Sequence, residues 1–96
     1  MPLIKDLQAQ IFNGIAGRLI AVTAQARAGD FPQAVNLSFI KWDIPDLHLE
    51  LNNAVNAGNY KEVGYAQNFM LDVEVEKVII YHQGKEVASA KIERPR

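Results

Sequence analysis

The sequence contains no cysteine, which removes disulfide staples, thiolate metal sites and a cysteine nucleophile together. Charge of one sign is also lacking: 10 Lys and Arg stand against 11 Asp and Glu, for a formal net charge of −1. A dedicated nucleic-acid binder needs surplus Lys and Arg to displace counterions from phosphates, so no specific nucleic-acid binding is expected. No apolar run approaches the ~20 residues of a membrane span. The opening Met-Pro-Leu-Ile-Lys-Asp lacks the basic-then-apolar order of a signal peptide. These absences predict a soluble, unsecreted chain in a reducing compartment, with no membrane partner. Internal repeats and low-complexity linkers are absent too, so residues 1–96 read as one domain.

What is present is an ordinary globular balance, 49% hydrophobic and 22% charged. A chain of this length buries only about 60–65% of its unfolded surface, which leaves a thin stability margin. Association with copies of itself is an ordinary way to widen it.

The C-terminal half is the most readable. Between Phe69 and Tyr81, Leu71, Val73 and Val75 take one parity and Asp72, Glu74 and Glu76 the other, the pattern of a half-buried strand. Val78 and Ile80 then occupy the side that held the acids, a switch that a bulge or a second packing surface explains. His82-Gln83-Gly84-Lys85 supplies a turn, and Val87, Ala88, Ala90 and Ile92 form the returning strand. Upstream, Val35, Leu37 and Phe39 alternate with Asn36 and Ser38, predicting a strand that runs to about Trp42.

Two segments admit more than one reading. Leu47, Leu49 and Leu51 alternate like a strand, yet Asp43 can cap a helix with Pro45 and Asp46 in its first turn and Gly58 at its end. Two capping signals outweigh a short alternation, so a helix is predicted over about 45–57. Residues 3–28 read either as one Ala- and Gln-rich helix ending at Gly29, or as a hairpin turning at Asn13-Gly14. Propensity favours the helix and turn chemistry the hairpin.

No constellation carries chemistry. His48 and His82 fall in different elements without Ser, Asp or Glu partners in a catalytic pattern, and read as an exposed helix residue and a solvated turn residue. The glycines build no phosphate loop, and Ser38 and Ser89 lie in predicted strands without a nucleophile elbow. No catalytic residue, metal ligand or cofactor is expected, and the chain reads as a non-enzyme. Trp42, Tyr60, Tyr65, Phe69 and Tyr81 are read as core aromatics, with a binding platform as the alternative. Asp72, Glu74 and Glu76 are the one concentrated charge feature. Spaced about 6–7 Å apart on a strand, they cannot share a proton as a catalytic dyad does. They read as a solvated outer face or as an acidic surface that meets a basic partner.

Three segments in order resemble the tail-tube proteins of contractile-tailed bacteriophages. Ile11-Phe12-Asn13-Gly14 with Gly17 to Val22-Thr23 is similar to that family's opening hairpin. Leu37-Ser38-Phe39-Ile40-Lys41-Trp42 and Pro45-Asp46 through Gly58 look like its strand leading into a single short helix. Val78 to Tyr81 with Gly84-Lys85-Glu86-Val87 and Ala88 to Glu93 resembles its closing hairpin. The matched pieces cover about half of the chain. The resemblance implies a small sandwich whose copies complete one another's sheets in rings that stack into a hollow tube, within a virion. An acidic strand face in the lumen would let DNA slide without sticking, and the alternating Asp72, Glu74 and Glu76 are the candidates for it.

The expected fold is therefore α+β, mainly antiparallel β: a small β-sandwich or barrel-like sheet with one short helix. The alternative is a long N-terminal helix packed on an antiparallel sheet. The expected function is a structural, self-assembling homo-oligomer of the tail-tube kind, with other virion proteins as further partners and the virion or the producing cell's cytoplasm as its location. The competing reading is a small non-enzymatic binding module or inhibitor acting through the acidic face.

Overall fold

A computed structural model describes residues 3–15, 17–29, 34–55 and 60–94. Among these, 77% lie in strands or bridges and none in a helix. Seven strands run in the order β1 (Ile4–Gly14), β2 (Gly17–Ala28), β3 (Asn36–Asp43), β4 (Asp46–Asn52), β5 (Lys61–Met70), β6 (Lys77–His82) and β7 (Lys85–Glu93). They form one mixed sheet, β3-β4-β6-β7-β1-β2-β5, curled into a half-barrel. The β4–β6 and β1–β7 pairs are parallel and the other four antiparallel.

The expected α+β class is thus corrected to all-β. Where a helix was expected over 45–57, Ile44 and Pro45 form the turn between β3 and β4, and Asp46–Asn52 is a strand. Asn56 and Ala57, the end of that expected helix, lie outside the described residues. The Leu47–Leu49–Leu51 alternation wins for a tertiary reason. All three side chains are buried on the inner face of a strand held by β3 on one side and β6 on the other. A helix would carry Leu49 away from the face that buries Leu47 and Leu51. The alternative long N-terminal helix is likewise replaced by the β1–β2 hairpin, whose register closes at Gly14↔Gly17. Asn13 and Gly14 are still paired within the ladder, so the chain reverses after the expected Asn13-Gly14 and not at it.

Inward residues of β2 keep one parity throughout: Ile20, Val22, Ala24 and Ala26 are all buried. On β1, Ile4 is buried at an even position but Ala9 and Ile11 at odd ones. A bulge between Lys5 and Gln8, with Asp6 at φ 56°, supplies the extra residue that resets the parity. With Leu37, the β4 leucines, Val78, Ile80 and Ile92, these side chains make a single core.

The β6–β7 hairpin turns at Gln83 and Gly84, with φ of 53° and 81° between the paired His82 and Lys85. Two consecutive positive φ values define a type I′ turn, which matches the twist of the flanking strands. Gln tolerates this conformation less well than Asn, so Gln83→Asn should raise stability by about 0.5–1 kcal/mol, read as a higher thermal midpoint. Gly84→Ala should lower stability by about 1 kcal/mol, and for a purely conformational reason. No atom lies within 4 Å of where the added Cβ would stand.

Strand directions place the turns at two ends. One end, the tip, gathers the β1–β2 turn, the β3–β4 turn, residues 71–76 and the last residues of β7; the other, the base, holds the β6–β7 turn. β7 last pairs with β1 at Gln10, so β1 runs on alone on that side to Gly14, roughly 13 Å at ~3.3 Å per residue. The molecule is accordingly elongated, 41 × 25 × 20 Å.

Candidate assembly interface

The curl brings the two outermost strands, β3 and β5, towards each other without a main-chain ladder between them. Side chains bridge the gap instead. The Gln67 carboxamide donates from Nε2 to the Leu37 carbonyl at 3.1 Å and accepts from the Leu37 N–H at Oε1 at 3.3 Å. That is the two-bond pattern of a peptide group in a sheet, supplied by a side chain. The Tyr65 hydroxyl accepts a second bond from the same N–H at 3.0 Å. Burial pushes the Tyr65 phenol above its ordinary pKa, and the hydrogen bond from Leu37 works in the other direction. Tyr65 and Gln67 reach inward because β5 alternates: Val63, Tyr65, Gln67 and Phe69 are half-buried while Gly64, Ala66, Asn68 and Met70 are exposed.

Towards the tip the seam opens into a cleft of about 220 Å³ lined by Phe39, Trp42, Phe69, Met70 and Asp72. Phe39 and Trp42 meet at a ring separation of 5.2 Å, tilted by 57°. Of the five aromatics read as core, Trp42, Tyr65, Phe69 and Tyr81 are half-buried, whereas Tyr60 is exposed with the Arg27 guanidinium 4.3 Å from its ring centroid.

Asp72, Glu74 and Glu76 do not lie on a strand. The expected long strand from Phe69 to Tyr81 is interrupted: β5 ends at Met70, β6 begins at Lys77, and 71–76 crosses the tip as a strap. The sidedness survives without the ladder. Leu71 and Val73 are half-buried and Val75 fully buried, while the three acids are exposed. Crossing from one strand end to another, the strap has no continuous neighbour to pair with. It is tied at separate points: Leu71 N–H to the Arg18 carbonyl at 3.0 Å, Glu76 N–H to that of Pro45 at 2.7 Å, and Ile92 N–H to that of Glu76 at 2.9 Å.

The acidic face is also partly neutralised. Glu74 binds Arg18 through one carboxylate oxygen and Arg94 through the other, at 2.7 Å for Arg94, which donates further to the Val75 carbonyl at 3.2 Å. The hydrogen bond from Arg18, followed by that from Arg94, holds the Glu74 carboxyl below its ordinary pKa. The contribution of a carboxylate lowered on folding is present above its unfolded value and is lost as pH falls through the folded one. The stability of the parent should therefore fall below about pH 4.5 in a way that Glu74→Gln does not share, as chemical denaturation at a series of pH values would read. Equal acid limbs for the two proteins would show that this fork contributes nothing, and added salt should shrink the difference because the group is exposed.

His48 is not the exposed helix residue the sequence suggested, and His82 flanks the expected turn but is less solvated than expected. His48 is buried on β4, with its ring 5.0 Å from that of Tyr81 and Nε2 3.6 Å from Asp43. His82 is half-buried, and its Nδ1 lies 3.2 Å from the Leu51 carbonyl. Ser38 and Ser89 stand exposed on β3 and β7. Among the described residues no three His, Asp or Glu side chains converge to hold a metal ion.

Sequence reasoning missed Gln67 and the hydrogen bond that Tyr65, read as a core aromatic, accepts from Leu37, as well as the Arg18 and Arg94 fork. For the first two a signal existed: Val63, Tyr65, Gln67 and Phe69 alternate with small or polar residues across 63–69, which marks a strand. For the arginines there was none, since the fork joins residues far apart in the chain. Comparison with protein-family models, curated protein sequences and solved structures gives no match to this chain.

Proposed function

We propose that this chain is a structural subunit that assembles with copies of itself by joining sheet edges, in the manner the tail-tube resemblance implies. The observation that carries the reading is the seam. β5 keeps an unbroken register with β2 over ten residues, from Leu19↔Met70 to Ala28↔Lys61, and it leaves its other edge without a main-chain partner. No proline or bulge blunts that edge, the usual protection in a monomer. On β3, Leu37 turns its N–H and C=O out of the sheet towards Gln67 and Tyr65. Strand periodicity turns those of Phe39 the same way, and among the described residues no side chain meets them as Gln67 meets Leu37.

All three segments that carry the resemblance fold as β-hairpins in their described residues, β1–β2, β3–β4 and β6–β7, the middle one where the resemblance implied a strand and a short helix. The tail-tube reading therefore rests on hairpins and edges and draws nothing from a helix. The lumen role of Asp72 and Glu76 belongs to it; Glu74, held between two arginines, contributes little free negative charge.

Light scattering behind size-exclusion chromatography should show oligomers, and negative-stain microscopy rings or tubes. Ala66→Lys with Asn68→Lys, both exposed on the outer face of β5, should abolish that lateral growth with the strand spectrum intact. A parent protein that builds no assembly through β5, with the double lysine variant indistinguishable from it, would overturn the reading.

A further inference from the structure

Seven large hydrophobic side chains are exposed among the described residues, and their distribution is uneven. Phe12, Ile15, Ile44 and Met70 stand at the tip, and Phe39 and Ile40 on the adjoining half of β3. Only Tyr60 lies towards the base. Ile15 at the β1–β2 turn is 110% exposed and Ile44 at the β3–β4 turn 66%. An apolar side chain has no local reason to stand at a turn tip, where Asn, Gly or Asp serves the backbone better. Together the six expose on the order of 700 Å², against the ~800 Å² per partner of a standard protein interface. A monomer of this mass would expose roughly 5,500 Å² in all, and this chain exposes 6006 Å².

We infer that the tip is a docking surface for the tip of a second copy, making a two-fold, end-to-end pair distinct from the strand-edge contact. The area argues for a partner of this size. The chemistry of the two ends argues for tip on tip. Described residues near the base expose Lys5, Asp6, Lys61, Glu62, Lys85 and Glu86, charges that an apolar surface would desolvate at a cost. Tip on tip sets apolar against apolar. Its surroundings carry both signs, Asp43, Asp72 and Glu76 with Lys41, Lys77 and Lys91, so a two-fold operation can bring acid to base around an apolar centre. The projecting β1–β2 turn gives the contact a knob in Ile15, and the mouth of the seam gives it a hollow between Trp42 and Met70.

The test uses the Ala66→Lys/Asn68→Lys background, in which strand-edge growth is blocked, so that failure of the edge contact and failure of the tip contact read differently. A dimer is expected there, and adding Ile15→Lys with Ile44→Lys should weaken it on the order of 100-fold by sedimentation equilibrium. Both positions are exposed turn residues, and an unchanged circular dichroism spectrum establishes folding. Because the chain has no cysteine, Ile44→Cys and Glu86→Cys give clean single probes for a short bismaleimide. Coupling of Ile44→Cys to itself supports the two-fold pair. Coupling only in the mixture with Glu86→Cys means head-to-tail stacking and overturns it. A strict monomer in that background overturns it too, as does a monomer whose tip binds neutral lipid vesicles instead.

Discussion

Replacing Leu49 by Ala is expected to lower the unfolding free energy by about 2–5 kcal/mol. Leu49 is fully buried, stands opposite Phe39 on one side and Ile80 on the other, and occupies the middle of the strand around which that half of the sheet is built. Truncation removes the transfer free energy of the lost carbons and leaves a cavity that strands pinned on both sides cannot close. For 96 residues the whole margin is about 5–14 kcal/mol, so at the middle of both ranges the variant loses about a third of it. The thermal midpoint should fall by about 10 °C or more. Leu49→Met, which conserves volume, should cost under about 1.5 kcal/mol. Equal losses for Ala and Met would mean that the site is not packed as described. A loss below about 1 kcal/mol for Ala would place Leu49 outside the core.

The second large effect belongs to the seam. Gln67→Ala removes the side chain that answers the Leu37 carbonyl, and should cost about 1–3 kcal/mol. Gln67→Glu should not rescue it, because a carboxylate can accept from the Leu37 N–H but offers the carbonyl no donor. Tyr65→Phe alone should cost less, since Gln67 still accepts from Leu37. With both changed, the N–H and the C=O of Leu37 lose their partners together, so the double variant should lose more than the sum of the singles. Strict additivity in chemical denaturation would show that the two side chains do not share that group. The Tyr65 phenol adds a pH signature. Its pKa is raised on folding, so its contribution is present below about pH 10 and is lost as pH rises through the folded value. Tyr65→Phe should remove that alkaline step.

These two predictions bear on assembly from opposite sides. Loss of Leu49 weakens the fold itself and should depress every association indirectly. Loss of Gln67 frees the main-chain groups of Leu37 at the edge of β3, ahead of the irregularity between Phe39 and Lys41. If copies join through this edge, Gln67→Ala should lower monomer stability yet leave or promote strand-edge oligomers, a combination that a core defect does not produce.

Particular elements show where the sequence was legible. The closing hairpin was readable to its turn because Gly84 stands between two apolar strand runs and accepts the positive φ that the reversal needs. Leu71, Val73 and Val75 declared an inward side, and that side is the buried one, but alternation specifies only which way side chains point. Whether a neighbouring strand lies alongside depends on where the chain enters and leaves the barrel, so a strap was read as a strand. At 45–57 two capping signals were given more weight than three leucines. Asp43 and Asp46 face each other across the Ile44-Pro45 turn instead of capping a helix. Caps contribute about 1 kcal/mol, whereas burying three leucines together contributes several times as much. Leucine burial therefore prevailed once β3 and β6 were there to receive the side chains.

By itself the sequence determined the lack of thiol chemistry, the near-neutral charge and the inward parity of nearly every strand it revealed. All of these follow from composition or from neighbours within a few residues. Only the tertiary structure decided that β4 is a strand, that 71–76 spans the tip, that Arg18 and Arg94 converge on Glu74, and that the Gln67 carboxamide and the Tyr65 hydroxyl span the gap between the outermost strands. Each of these depends on groups distant in sequence meeting in one place, where burial and pairing free energies exceed any local preference the chain could express.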